Sequence, residues 1–141
     1  MIFPSMKNPS QPIHVCAAVI RNNGRILLCT RPDGKHLEGL WEFPGGKADP
    51  GESDEQCLKR EIREELSIDI IVLDLIFRIE HSYPGKDVEI VFYRAMQTDM
   101  AQQINVTEGQ EFRWIELSGM KKLDLVPADA PFADWLLSAQ L

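Results

Sequence analysis

The sequence predicts an α/β (α+β) sandwich, and three observations carry that reading. Runs rich in β-branched and aliphatic residues fall into two groups, one before and one after a single amphipathic helix. A second stretch with apolar residues at helical spacing closes the chain. Glycine and proline punctuate the remainder, with no repeat and no low-complexity segment. Strands, helix, strands, helix is the order of a layered fold around a shared core.

A chain of 141 residues has room for one ordinary domain, here residues 13–141, behind a loose leader over residues 1–12. The leader holds prolines, serines and asparagine but no charged-then-apolar signal, so a cytoplasmic protein is expected. A net charge of −7 leaves no basic stripe for a nucleic-acid polymer. It also means that a phosphate-bearing substrate needs metal ions as intermediaries. No apolar run approaches the ~20 residues of a membrane span. Nothing in the sequence sets the oligomeric state.

Residues 13–20 and 25–29 read as strands joined by the hairpin signal Asn22-Asn23-Gly24. Cys16 and Cys29 lie inside these runs. With Cys57 they are odd in number and lack Cys-x-x-Cys spacing, so they read as buried free thiols rather than a disulfide or zinc site. The scattered histidines, His14, His36 and His81, are assigned no chemistry. After Arg31 comes a loop over residues 32–39, then the short run Leu40-Trp41-Glu42-Phe43. The stretch from Gly45 to Glu52, with three glycines and a proline, reads as a loop that continues no regular element. Beyond the central helix, residues 68–79 and 88–96 are strand-like, separated by Tyr83-Pro84-Gly85. Residues 99–108 form a polar loop and 112–117 a further strand. Phe132, Trp135 and Leu136 then mark a helix over residues 130–141.

The central helix has a start signal and two unequal faces. Ser53 is its N-cap, Gln56 completes a capping box, and Asp54 and Glu55 place negative charge where the helix dipole favours it. Leu58, Ile62 and Leu66 make an apolar stripe. Glu61, Glu64 and Glu65 stand at i, i+3 and i+4, where like charges cost about 0.2–0.5 kcal/mol per pair. Two readings stay open for them: a solvated acidic face, or oxygen ligands for a hard cation such as Mg²⁺.

Loop and helix together resemble the Nudix hydrolases, whose box is G-x5-E-x7-R-E-U-x-E-E-x-G-U with U aliphatic. Gly46, Glu52, Arg60, Glu61, Glu64 and Glu65 match it, and Ile62 and Ile68 fill the aliphatic places. Ser67 departs, standing where the family has a glycine just past the helix. A left-handed backbone there would cost a serine about 1 kcal/mol, and activity should survive it. The segment from Trp41 to Lys47, the stretch Pro127-Ala128-Asp129-Ala130-Pro131 and Glu108-Gly109-Gln110 are similar to the MutT-type nucleotide pyrophosphohydrolases within that family.

The resemblance implies a Nudix fold, a mixed β-sheet packed between helices, and a nucleoside triphosphate pyrophosphohydrolase that releases a nucleoside monophosphate and pyrophosphate. Its metal would be Mg²⁺, with Mn²⁺ as substitute. Its use would be sanitation of oxidised nucleotides such as 8-oxo-dGTP, with a cytidine triphosphate as the alternative substrate. The competing class is a non-catalytic nucleotide-binding module, against which the intact glutamates argue. By resemblance the metal ligands are Glu61, Glu64, Glu65 and the Gly45 carbonyl, with Glu108 as a further ligand, or else an ordinary solvated loop glutamate. Glu61 or Glu108 would serve as general base. Arg60 and Glu52, beside Gly46, would orient the ligand carboxylates. Arg31 would meet a phosphate or the base, or else be an exposed strand-end arginine. Phe43 would stack on the base or belong to the core. Asp129 stands where the MutT branch has an asparagine reading the oxidised purine, and it also suits the N-cap of the last helix.

Overall fold

The computed structural model describes residues 11–139, so the expected leader, up to residue 10, and the last two residues of the expected terminal helix lie outside the described residues. The sheet is built around strand β1 (Ile13–Asn22). Along one edge β1 runs parallel to β6 (Lys86–Gln97), from Ile13 opposite Val88 to Ile20 opposite Ala95. Its other edge is shared by β4 (Gly45–Lys47) and, at the hairpin end, β2 (Arg25–Thr30). Covered on both faces, β1 buries every residue from Cys16 to Ile20 and shows no polar alternation. Strand β2 is flanked in turn by β3 (Trp41–Glu42) and β7 (Phe112–Glu116). The outer strand β5 (Ile70–Tyr83) pairs antiparallel with β6. Asn23 and Gly24 both take positive φ, 52° and 76°, as a two-residue hairpin turn requires.

Successive side chains of the sheet feed two cores. Ala17, Val19, Leu28 and Phe92 face helix α2 (Ala130–Ala139) through Phe132 and Leu136. Cys16, Ala18, Ile20 and Val91 face helix α1 (Asp54–Leu66) through Cys57, Leu58, Ile62 and Leu66. The expected sandwich is therefore present, with α1 and α2 on opposite faces. Leu58 and Ile62 are completely buried, so truncating either to alanine would cost about 2–5 kcal/mol. Ser53 Oγ accepts from the Gln56 N–H at 3.1 Å, and Gln56 Oε1 accepts from the Ser53 N–H at 2.9 Å, closing the capping box. Helix α1 ends at Ser67, which is left-handed (φ 60°, ψ 31°) and donates its N–H to Arg63 O at 3.0 Å.

The glycine-rich segment departs from expectation. Gly45, Gly46 and Lys47 are not loop but strand, opposite Ala17, Cys16 and Val15 of β1. Glycine breaks a strand by entropy alone, and here its missing side chain is what permits the pairing. A Cβ on Gly45, whose φ is +153°, would lie 2.0 Å from Cys16 O. Strand β5 also runs further than its apolar pattern suggested, to Tyr83 opposite Lys86, with only Pro84 and Gly85 in the turn. A 3-10 turn at Leu117–Lys122 gave no sequence signal. No helix among the described residues is long and apolar enough to cross a membrane.

Candidate active site

Pairing β4 to β1 sets the glycine strand against the flank of α1. A Cβ on Gly46 would fall 2.4 Å from the carboxyl carbon of Glu61, so glycine there makes room for a carboxylate. Arg60 holds the neighbouring acids in place. Its Nε and Nη2 donate to Glu52 Oε2 and Oε1 at 2.6 and 2.8 Å, a two-pronged pair. Its Nη1 donates to Glu61 Oε1 at 2.8 Å and to Glu64 Oε2 at 3.3 Å, and Nη2 also reaches Lys47 O at 3.2 Å. The Arg60 guanidinium, with the Asp49 N–H, holds Glu52 at a pKa of about 2.

Glu61, Glu64 and Glu65 open into one cavity of about 250 Å³, with Gly45, Gly46, Arg31, Glu42 and Glu108 on its walls. Glu65 is driven well above its ordinary pKa by burial, and the carboxylates of Glu42 and Glu61 beside it add to the effect. Glu42 itself is pushed up to about 7 by burial, against the pull of Arg31, whose Nη1 lies 3.5 Å from Glu42 Oε2.

A second cavity of about 390 Å³ shares Arg31, Glu42, Gly45, Gly46 and Lys47 with the first and is otherwise mostly apolar. Val15, Val88, Ile90 and Phe43 line it, and Asp129 is its buried acid. Burial pushes Asp129 up to about 8, the Glu42 charge adds to this, and the Phe43 N–H, donating to Oδ2 at 3.0 Å, opposes it.

Most of the expected site residues thus line these two joined cavities: Glu61, Glu64, Glu65 and Glu108 the acidic one, Phe43 and Asp129 the apolar one, and Arg31, Gly45 and Gly46 both. Arg60 and Glu52 stand behind the acids. The Phe43 ring lies mainly in the core, 5.0 Å from Phe132 and 5.7 Å from Phe92 between centroids. Asp129 precedes α2, yet its carboxylate turns to Phe43 instead of capping the helix. Glu42 went unread in the sequence. Trp41 and Phe43 belong to the α2-side core, so period-two alternation alone would have sent Glu42 to the α1 side, toward Glu65.

His14, assigned no chemistry from spacing, also has partners far along the chain. Its Nε2 lies 2.7 Å from Asp54 Oδ1 and its Nδ1 2.7 Å from Glu89 Oε1. Burial opposes its charge most strongly, but the hydrogen bonds to both carboxylates together with their charges raise its pKa.

The acidic cavity is lined by the carboxylates of Glu42, Glu61, Glu64, Glu65 and Glu108, with no histidine or cysteine among its lining residues. That donor set fits a hard divalent cation such as Mg²⁺ or Mn²⁺ and not a soft one.

A family model described as the NUDIX domain matches residues 15–135. The chain is 37% identical over 127 residues to the 8-oxo-dGTP diphosphatase of Haemophilus influenzae, covering 89% of this chain and 92% of that protein. It is 34% identical over 122 residues to the CTP pyrophosphohydrolase of Escherichia coli, covering 86% and 89%. The solution structure of the Escherichia coli ORF135 protein superposes with a TM-score of 0.75 at 33% identity, covering 92% of this chain and 91% of that one. A MutT protein from Methanosarcina mazei superposes with a TM-score of 0.81 at 24% identity, covering 92% and 96%, a likeness of fold.

Proposed function

The chain belongs to the NUDIX domain family as a nucleoside triphosphate diphosphatase, and we propose that it prefers 8-oxo-dGTP, hydrolysing it with Mg²⁺ to the monophosphate and pyrophosphate. The observation that carries the choice of base is Asp129, an acid buried in the apolar cavity with a pKa of about 8. At neutral pH it is a neutral carboxylic acid, with one donor and one acceptor. The oxidised purine presents an acceptor, O6, beside a donor, N7–H. A neutral acid matches both, as an asparagine amide would.

Mg²⁺, when bound by Glu61, Glu64, Glu65 and the Gly45 carbonyl, supplies positive charge to the triphosphate and lowers the pKa of bound water. The chain's own residues do the rest. Arg60 locks the rotamers of Glu61 and Glu64 while Glu52 holds Arg60. Arg31, on the wall common to both cavities, meets the substrate where base and phosphates join. Glu61 and Glu108 are the candidates for taking the proton of the attacking water. Glu61 Oε1 already accepts from Arg60, so that oxygen is engaged, whereas the Glu108 carboxylate on its exposed loop has no such donor among the described residues.

A second reading, a CTP-type pyrophosphohydrolase, draws on the 34% identity to the Escherichia coli enzyme. Ionised Asp129 would accept from the cytosine N4 amino group. One experiment separates them: kcat/KM for 8-oxo-dGTP and CTP from below neutrality to above pH ~8, with products identified. Preference for 8-oxo-dGTP at low pH that fades as Asp129 ionises is expected. CTP preferred at every pH would overturn the choice of base, and absence of pyrophosphate with either would overturn the reaction.

A further inference from the structure

A second cluster lies on the α1 side of β1, built from residues that do not line the acidic cavity. Alternation along β1 puts His14 and Cys16 on the same face, and the first turn of α1 brings Asp54 over them. We propose that His14 Nε2, Cys16 Sγ and one Asp54 oxygen form a site for a thiophilic divalent ion of the Zn²⁺ class. The three donor atoms lie within 4.8 Å of one another. Sulfur to oxygen is 3.3 Å, sulfur to nitrogen 3.7 Å and nitrogen to oxygen 2.7 Å. A tetrahedral ion with bonds of about 2.0–2.3 Å needs such donors roughly 3.3–3.7 Å apart, so only the His14–Asp54 pair must widen.

The surroundings are those of a built metal site. His14 Nδ1 faces Glu89 Oε1 at 2.7 Å, the carboxylate behind the imidazole that fixes a ligating histidine. Glu89 is held by Arg78, and the second oxygen of Asp54 accepts from the Tyr93 hydroxyl. Side-chain exposures of 37% for His14 and 31% for Asp54 leave an entrance, while Cys16 forms the floor. No cysteine lines the acidic cavity, so the thiolate sets this site apart.

The test uses Co²⁺ alone, added to the full chain in the presence of excess Mg²⁺. A thiolate-to-cobalt charge-transfer band in the near ultraviolet should grow to one ion per chain in the wild type, in Glu64→Gln and in Cys57→Ala. It should vanish in Cys16→Ala. Glu89→Gln should keep the band but weaken Co²⁺ binding by about 10–100-fold, the effect of losing the carboxylate behind a ligating histidine. No band in the folded wild type at excess Co²⁺, or a band that survives Cys16→Ala, overturns the proposal.

Discussion

The acidic cavity and the apolar cavity share a wall, yet they are assembled in opposite ways. The acidic one draws Glu61, Glu64 and Glu65 from a single helix, the first two held by an arginine on that same helix. The apolar one gathers Val15, Phe43, Val88, Ile90 and Asp129 from strands and loops scattered over the whole chain. The carboxylate spacing of the first follows once α1 forms, while its facing wall of Arg31, Glu42, Gly45, Gly46 and Glu108 comes from the sheet and loops. The second exists only when the sheet is complete. The metal-dependent step and the choice of base should therefore respond to different substitutions.

The largest effect belongs to the acidic side. Chelation should abolish turnover, and Mg²⁺ or Mn²⁺ should restore it, because clustered carboxylates otherwise repel a triphosphate. Glu64→Gln keeps the shape and removes one charge, so kcat should fall on the order of 10²-fold or more. The ratio of 8-oxo-dGTP to CTP turnover should not move. A changed ratio, with the melting curve intact, would show that the two cavities are not separable.

Gly46 is where the separation should break, because it lines both cavities. In Gly46→Ala the new methyl would stand 2.4 Å from the Glu61 carboxyl carbon and force that side chain off its position. A displacement of this size should cost roughly 10–10²-fold in kcat. KM should rise as well, since the methyl narrows the passage between the compartments. Steady-state kinetics on both nucleotides checks it.

Legibility in the sequence followed the same division. Glu61, Glu64, Glu65, Arg60 and Ser53 could be read at helical spacing, because i, i+3 and i+4 neighbours on a helix are neighbours in space. Glu42 could not be, since its partners Arg31 and Glu65 lie 11 and 23 positions away and nothing local announces them. His14 failed for the same reason, its carboxylates being 40 and 75 positions distant. Gly45 and Gly46 were misread because a glycine pair signals a break by propensity, whereas here close backbone approach decides. The strands of the sandwich were visible. The parallel pairing of β1 with β6 was not, as register across some 70 residues leaves no local trace.

Asp129 sharpens the comparison from the apolar side. Asp129→Asn fixes the donor–acceptor pattern that the wild type has only while protonated. Below pH ~7 the substitution should change little, and above pH ~8 it should shift kcat/KM toward 8-oxo-dGTP over CTP by about tenfold, or ~1.4 kcal/mol. Stability carries a parallel signature. The folded pKa of about 8 exceeds the ordinary value of 3.8, so this group's contribution is fully present below the lower value and is lost as pH rises to the upper one. In Asp129→Asn that decline, about 1.4 kcal/mol per pH unit across the window, should disappear from denaturation midpoints.

The smallest effect is expected at Ser67, which tests whether the helix end is tied to catalysis at all. Its backbone is left-handed, so glycine would relieve up to ~1 kcal/mol of strain. Two terms offset that gain. Ser67 Oγ donates to Asn105 O at 3.2 Å, and glycine enlarges the entropy of the unfolded chain. Ser67→Gly should therefore raise stability by only a few tenths of a kcal/mol, while Ser67→Ala keeps the strain, loses the bond and should lose about 0.5–1.5 kcal/mol. Turnover should stay within about twofold in both, since a merely structural bond carries no transition-state charge. The residue 105–108 loop, with Glu108 at its end, has two firmer ties to the helix: Asn105 N–H to Leu66 O at 3.0 Å and Thr107 Oγ1 to Glu64 O at 2.9 Å. If kcat nevertheless falls tenfold in Ser67→Gly, the hydroxyl rather than those two bonds sets the reach of Glu108, and the acidic cavity is less local than its helix suggests.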